Sequence, residues 1–402
     1  MKIAAINGLQ SGSPSTMMRG IASTAIKKYG FNYLTFYGNW KNSAPKYQES
    51  ERFGFLFENV LSGFLSRLLG VHCRGSVFGT LSLINKLKKY DPDIIHLHNL
   101  HFWSINIPLL FKYIKKEKIK VVWTLHDCWP FTGRCPYFQC SKCDKWKTGC
   151  FNCSYPKNAY PSSMIDNSKH MWKLKKKWFS DIDHMYIVTP SKWLAELVRE
   201  SYLSQYPIMT ISNGIDLKVF YPKKTNFRNN YNLENKIVVL GVSFSWNYYK
   251  GLDVFIELSK KLDENYKVVL VGVNEQVKKQ LPSNILALDR TTNANELADI
   301  YSSADVFVNP TREENYPTVN MEAICCGLPV VTFNTGGCAE IVNDNCGFVT
   351  AEKTCDAIIS EINKLMKIKD DFKEKCVEES SRHDMYSKFI EYCELYKTII
   401  SE

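Results

Sequence analysis

The chain has 402 residues and a mass of 46.4 kDa, room for two domains of ordinary size. Hydrophobic residues make up 45 %, enough for packed cores, and no run of about 18 apolar residues reads as a membrane span. The formal net charge of +10 is unevenly held: residues 1–200 carry 29 Lys/Arg against 13 Asp/Glu, and residues 201–402 carry 22 against 28. The basic half implies an anionic partner, a membrane surface or a nucleic acid. The 14 cysteines come with no export signal at Met1-Lys-Ile-Ala-Ala-Ile6, which predicts reduced thiols in a cytoplasmic protein.

Lys2–Ile6 reads as a strand, followed by the loop Asn7–Ser15 and a helix from Thr16 to Tyr29. Strand, glycine-bearing loop and helix open a Rossmann-like unit, although the full G-x-G-x-x-G is absent. A second strand covers Asn32–Tyr37. Residues 39–75 carry weaker signals, but Phe53 to Leu69 has apolar residues at helical spacing and is expected to pack on the sheet or shape an acceptor site. A helix over Phe78–Lys89 precedes the buried parallel strand Asp91–His98. A helix at Asn106–Glu117 and a strand at Lys120–Leu125 follow. That strand ends in His126-Asp127, and such ends face the ligand crevice of a parallel sheet. His96, His98 and His101 stand near the end of the preceding strand.

Cys128 to Pro161 is an excursion rich in Cys, Trp, Lys and Gly. Within it, Cys140-x2-Cys143 and Cys150-x2-Cys153 are separated by six residues, a spacing open to a structural zinc site, with Cys128 and Cys135 as alternative ligands, or to reduced, partly buried thiols. A basic helix ends near Phe179, a strand covers His184–Thr189, and a capped helix starts at Ser191. The strand Pro207–Ile211 closes at Asn213-Gly-Ile-Asp216, so residues 1–212 read as the first domain and 213–235 as a linker. The second domain spans 236–380. It alternates strands at Lys236–Val242, Val268–Val271, Ile285–Leu288 and Asp305–Asn309 with helices at Leu252–Leu262 and Glu296–Ser303. Residues 381–402 read as a terminal helix.

The most informative stretch is Thr311 to Val330. A strand leads into a polar loop, then a short helix with Thr318 as N-cap and Gly327 past its end. Glu314 and Glu322 bracket the loop and first turn with seven residues between them. A strand–loop–helix unit offers free backbone N–H groups at the helix start, a place for phosphate.

The residues Glu314, Asn315, Tyr316, Pro317, Glu322-Ala323, Cys326-Gly327 and Pro329-Val330-Val331 resemble the E-x7-E signature of retaining glycosyltransferases of family 4. Asn315 departs from the commoner Gly. The Asn213-Gly-Ile-Asp216 run and the His126-Asp127 strand end are also similar to those of family members, and the Cys-rich excursion is similar to that of a subset that builds bacterial surface polysaccharides. The resemblance implies an α/β GT-B fold: two Rossmann-like doubly wound domains facing a central cleft, the terminal helix crossing back to the first. It implies a nucleotide-diphospho sugar as co-substrate, with no cofactor or catalytic metal required. Glu314 would orient the transferred sugar and Glu322 would bind ribose. Lys250, the helix start at Thr318, Val319 and Asn320, and Gly12 would hold the diphosphate. His126 would position sugar or acceptor. The family's usual Arg five residues before Lys250-Gly251 is Ser245 here, so Arg290 or Arg312 would supply the missing charge. The implied acceptor is a saccharide on a polyprenyl pyrophosphate, which places the protein peripherally on the inner face of the cytoplasmic membrane. Lys112–Lys120 and Lys173–Lys177 are the expected contacts with anionic lipid, at about 1 kcal/mol per basic residue. No amphipathic segment reads as inserting. The competing readings are a GT-B nucleotide-sugar epimerase or phosphorylase, and a zinc-containing nucleic-acid-binding protein. The acidic second domain argues against the last, and no nucleic-acid partner is expected.

Overall fold

A computed structural model describes residues 1–38 and 49–402. The chain divides into two units, one of residues 1–212 with 386–402 and one of residues 213–385. The first unit contains, in chain order, β1 (Lys2–Asn7), α1 (Ser13–Tyr29), β2 (Asn32–Gly38), β3 (Ser50–Phe53), α2 (Leu56–Leu69), α3 (Val77–Tyr90), β4 (Ile94–Leu97) and α4 (Ile107–Glu117). It continues with β5 (Lys120–Thr124), α5 (Ser168–Phe179), β6 (Met185–Thr189), α6 (Lys192–Arg199) and β7 (Ile208–Thr210). Its seven strands are all parallel, in the order β3-β2-β1-β4-β5-β6-β7. Ile3, Ala4, Ala5 and Ile6 have no exposed surface, as expected for a strand covered on both faces. Phe111, Trp123 and Phe179 pack as a ring triad beneath β5, with centroids 4.8–5.7 Å apart.

The second unit holds α7 (Phe227–Asn230), β8 (Ile237–Val242), α8 (Leu252–Lys261), β9 (Tyr266–Val271), α9 (Glu275–Lys278), β10 (Leu286–Leu288), α10 (Ala294–Ser302) and β11 (Val306–Asn309). Then come α11 (Thr318–Cys325), β12 (Val330–Phe333), α12 (Cys338–Ile341), β13 (Gly347–Thr350), α13 (Cys355–Met366) and α14 (Lys369–Glu379). Its six parallel strands run β10-β9-β8-β11-β12-β13. Residues 213–235, read above as a linker, fold onto this unit: Ile215, Phe220, Phe227 and Leu233 are buried in its core.

The last helix, α15 (Met385–Ser401), packs in the first unit almost throughout its length. Tyr396 Oη lies 2.6 Å from His96 Nδ1, and the Thr124 hydroxyl donates to Tyr392 Oη at 3.2 Å. Phe389 occupies the space over Gly20, where a Cβ would come within 2.3 Å of its ring. His96, in β4, is fully buried and anchors this helix.

Three expectations need correction. The helix expected within Phe53–Leu69 forms as α2, but it does not lay an apolar face on the sheet. Its buried stripe is Asn59, Ser62 and Ser66, and its aromatic and leucine side chains face outward. Apolar residues surround most of this helix, so spacing alone did not say which stripe turns inward. Lys175, counted among the membrane-facing lysines, is fully buried. It falls on the same inner stripe of α5 as Met171, Trp172, Trp178 and Phe179. Its ammonium sits 3.7 Å from the Trp129 ring centroid and donates to the Trp129 carbonyl at 2.6 Å. Burial pushes its pKa down to about 7. The four proposed zinc thiols do not form a site. Cys140 is exposed, whereas Cys150 turns inward and accepts from the Gly133 N–H at 3.0 Å. Among the described residues, no group of three or more His, Cys, Asp or Glu side chains is placed to hold a metal ion.

Candidate active site

The strand order of the second unit reverses between β8 and β11, which pair in parallel through Val239–Val306 and Leu240–Phe307. A ligand crevice in such a sheet lies outside the carboxyl ends of the strands at that switch point. The loop after β8 leads to Lys250, and the loop after β11 carries Glu314. The two loops are tied together: the Arg312 N–H donates to the Tyr249 carbonyl at 2.8 Å, and the Thr311 hydroxyl reaches the same oxygen at 3.2 Å. Gly251 has φ +73°, and a Cβ there would lie 2.5 Å from Pro310 Cγ. That close approach explains why a glycine must follow the lysine.

The result is a Lys250 Nζ–Glu314 Oε2 pair at 2.7 Å. Burial lowers the Lys250 pKa, but the Glu314 charge and hydrogen bond outweigh it, and the net shift is upward. Lys250 is a cation at neutral pH. The other Glu314 oxygen accepts from the Asn315 N–H at 3.0 Å. Gly336, at φ +57°, packs directly behind this loop: a Cβ there would meet the Glu314 carbonyl at 2.0 Å. The Gly337 N–H donates to the Asn315 carbonyl at 2.7 Å. The carboxylate is thus positioned from both sides.

The N-cap position of α11 is Pro317, in extended conformation, and no cap side chain bonds to the helix. The expectation of Thr318 as N-cap is one residue off, because the proline fixes the extended turn and Thr318 is already helical. The Thr318 hydroxyl serves Glu322 instead, alongside the Tyr301 hydroxyl, which donates to Glu322 Oε2 at 3.0 Å. Burial raises the Glu322 pKa to about 7, and these two hydrogen bonds only partly offset it. Val319 is half-buried against the core, and the Asn320 side chain is buried, its oxygen accepting from Asn309 Nδ2 at 2.7 Å. Asn320 therefore ties the helix to the end of β11, and its backbone N–H donates to the Pro317 carbonyl at 3.3 Å.

The structure separates the two arginines proposed to complement Lys250. Arg312 forms a bidentate pair with Asp253, both contacts at 2.7 Å, and stacks on Tyr248. Its charge is committed. Arg290 stacks on Phe244 at 3.7 Å from the ring centroid and donates to the Phe244 carbonyl at 3.1 Å. Its guanidinium stands next to Ser245, the position that lacks the usual arginine. Phe244 and Tyr301 were not singled out from the sequence. Tyr301 lay on the apolar stripe of a helix, where nothing marked its hydroxyl.

In the first unit, Gly12 is exposed at the start of α1 with φ +90°, a backbone conformation that suits glycine. The β1 and β4 ends are joined by Asn7, whose side chain bonds Leu9, Ser15 and Asn99. His126 lies past the end of β5, with Nε2 3.1 Å from His98 Nδ1 and the two rings stacked. Burial holds the His126 pKa at about 3 and pushes that of His98 well down. Both rings are neutral, so one of the facing nitrogens carries the shared proton and the tautomers are coupled. His101 is buried 3.7 Å from Asp127, whose carboxylate accepts from the Trp129 N–H.

Residues 223–383 match the family model described as glycosyl transferases group 1, and residues 44–219 the model described as glycosyltransferase family 4. The chain belongs to the family 4 glycosyltransferases. The fold agrees. Sucrose-phosphate synthase from Thermosynechococcus elongatus superposes with a TM-score of 0.72 at 15 % identity, covering 100 % of this chain and 99 % of that one. Anabaena HepE in complex with UDP superposes with a TM-score of 0.68 at 15 % identity, covering 99 % and 100 %. This glycosyltransferase thus has the two-domain GT-B fold. Among sequence relatives, a putative colanic acid biosynthesis glycosyl transferase of Escherichia coli is 24 % identical over 65 % of each chain. An N,N'-diacetylbacillosaminyl-diphospho-undecaprenol alpha-1,3-N-acetylgalactosaminyltransferase of Campylobacter jejuni is 26 % identical over 51 % of this chain and 58 % of its own. The matches span somewhat less than two thirds of those relatives' lengths.

Proposed function

We propose that the protein transfers a sugar, with retention of configuration, from a nucleotide-diphospho sugar to a lipid-linked saccharide in surface-polysaccharide synthesis. The observation that carries this reading is the Lys250–Glu314 pair at the switch point, with Glu322 one turn into α11. Cleaving the anomeric bond leaves a nucleoside diphosphate, and its growing charge needs fixed positive partners. Lys250 and the Thr318 and Val319 N–H groups at the start of α11 supply them, and Arg290 stands in for the arginine missing at Ser245. Glu322 accepts from the ribose hydroxyls. Glu314, already held by Lys250 and the Asn315 N–H, orients the transferred sugar. When the diphosphate draws Lys250 toward itself, Glu314 keeps its backbone partner and turns its other oxygen to a sugar hydroxyl. This reading assigns no covalent nucleophile, so attack proceeds on the face of the leaving phosphate, which takes the acceptor proton. His126, neutral and braced by His98, hydrogen-bonds a sugar or acceptor hydroxyl. The Campylobacter relative's name specifies a diphospho-undecaprenol acceptor, and this supports a polyprenyl-linked acceptor here. The basic first half suits a peripheral position on an anionic membrane.

A thermal-shift screen of UDP-, GDP- and ADP-sugars tests the donor half. One nucleotide series should raise the melting temperature, and the gain should shrink in Glu322→Ala. No response to any series refutes the reading.

A further inference from the structure

Helix α2 is built inside out. Its buried residues are Asn59, Ser62 and Ser66, while Phe57 is 80 % exposed and Phe64 63 %, with Leu61, Leu65 and Leu68 beside them. The orientation is fixed by packing. A Cβ on Gly75 would lie 2.3 Å from Ser62 Oγ, and one on Gly63 3.0 Å from the Trp103 ring, so the small stripe is the one that fits inward. Ser76 Oγ donates to Asn59 Oδ1 at 3.0 Å.

The apolar face extends past the helix at both ends. Glu58 accepts from the N–H groups of Phe78 and Gly79, at 2.8 and 2.9 Å, which sets the first turn of α3 beside α2. Phe78 is 72 % exposed there, and Leu81 follows it. At the far end the Met164 N–H donates to the Arg67 carbonyl at 2.8 Å, adding exposed Met164 and Ile165. Single exposed apolar side chains are ordinary, but a contiguous patch marks an interaction site.

Charge selects the occupant. Between residues 51 and 90 the basic side chains are Arg52, Arg67, Arg74, Lys86, Lys88 and Lys89. The acids before Asp91 are Glu51, paired with Lys86, and Glu58, used by α3. A second copy would bring this patch against itself in a symmetric dimer, with like charges facing like. A nucleic acid has no use for the apolar centre. An anionic bilayer matches both parts, acyl chains under the phenylalanines and leucines and headgroups at exposed Arg67 on α2 and Arg74 before α3, while Asp166 beside Ile165 is held by the N–H groups of Cys153 and Ser168.

We propose that the face formed by α2, the start of α3 and Met164-Ile165 seats the first unit in the headgroup–acyl boundary of an anionic membrane. The proposal rests on the reading of a membrane-borne acceptor and names the surface that meets the lipid. It replaces a purely electrostatic contact through Lys112–Lys120 and Lys173–Lys177 with an inserted one.

The test is flotation of the full chain with acceptor-free vesicles of phosphatidylcholine and phosphatidylglycerol, at low and high salt. The triple variant Phe57→Gln, Phe64→Gln, Leu68→Gln changes no charge and removes only exposed apolar surface. Wild type should float with the anionic vesicles and keep a fraction bound at high salt. The triple variant should lose about tenfold or more of that binding, with unchanged circular dichroism and melting temperature. Three outcomes overturn the proposal: wild type that does not float, a triple variant that floats like wild type, or a wild-type dimer in sedimentation that the variant dissolves while neither form binds vesicles. Nucleotide-induced thermal shift is measured on the same samples. Its failure would remove the donor reading and leave the membrane result standing.

Discussion

Glu322→Gln should make the protein more stable above neutral pH while weakening its hold on nucleotide. Burial raises the Glu322 pKa from 4.5 to about 7. Between those values the folded chain holds a proton that the unfolded chain has lost, so stability falls as pH rises through this window. The contribution is fully present below 4.5 and gone above about 7. A shift of this size is worth at most about 3 kcal/mol, less the relief that partial exposure gives. Glutamine keeps the shape and an oxygen for the Tyr301 hydroxyl but cannot ionise. Thermal midpoints of wild type and Glu322→Gln should therefore agree near pH 4.5 and diverge to the variant's advantage by pH 8. Calorimetric titration with the preferred nucleoside diphosphate supplies the other half. Ribose hydroxyls donate to a carboxylate, so wild-type affinity should rise with pH through about 7, with a proton released on binding below that pH. The variant should bind more weakly and show no such pH dependence. Midpoints that stay parallel at every pH, or a variant less stable than wild type at pH 8, would refute the argument.

Glu314→Ala should lower turnover far more than nucleotide affinity, because the side chain faces the sugar; equal losses in both would place it elsewhere. Gly336→Ala forces a Cβ toward the Glu314 carbonyl from a left-handed backbone and should cost about 1 kcal/mol or more in stability. It should also lower turnover at saturating donor, and unchanged steady-state kinetics would show that the loop position is not needed. Arg290→Ala should weaken binding of a nucleoside diphosphate by about tenfold while leaving the monophosphate nearly unchanged; equal loss for both would remove Arg290 from the diphosphate contact.

How much of this was legible in the sequence depends on which side chain carried the signal. The parallel sheets were legible because fully buried strands such as Ile3–Ile6 and Val306–Asn309 read as short apolar runs between loops. Glu314, Glu322 and Lys250 were legible because their spacing is tied to a local strand–loop–helix unit. What escaped were properties of packing between distant segments. Gly336 backs Glu314 from 22 positions away, and Tyr301 reaches Glu322 from another helix, so no local spacing announced either contact. Thr318 looked like a cap by residue type, but Pro317 had already fixed the turn.

The same limit explains α2 and Lys175. Helical periodicity shows that a stripe exists, but not which stripe the rest of the fold has room for. On α5 the inner stripe is aromatic and takes Lys175 in with it, because its ammonium finds the Trp129 carbonyl and ring. On α2 the inner stripe must be small, because Gly75 and Trp103 leave space only for serine, asparagine and glycine. The large apolar residues then have nowhere to go but outward. A surface made this way is a consequence of close packing beneath it, and the residues that expose it, Ser62 and Gly63, are not the ones that would touch a membrane. Enlarging Ser62 should therefore disturb the lipid-facing surface without changing its composition.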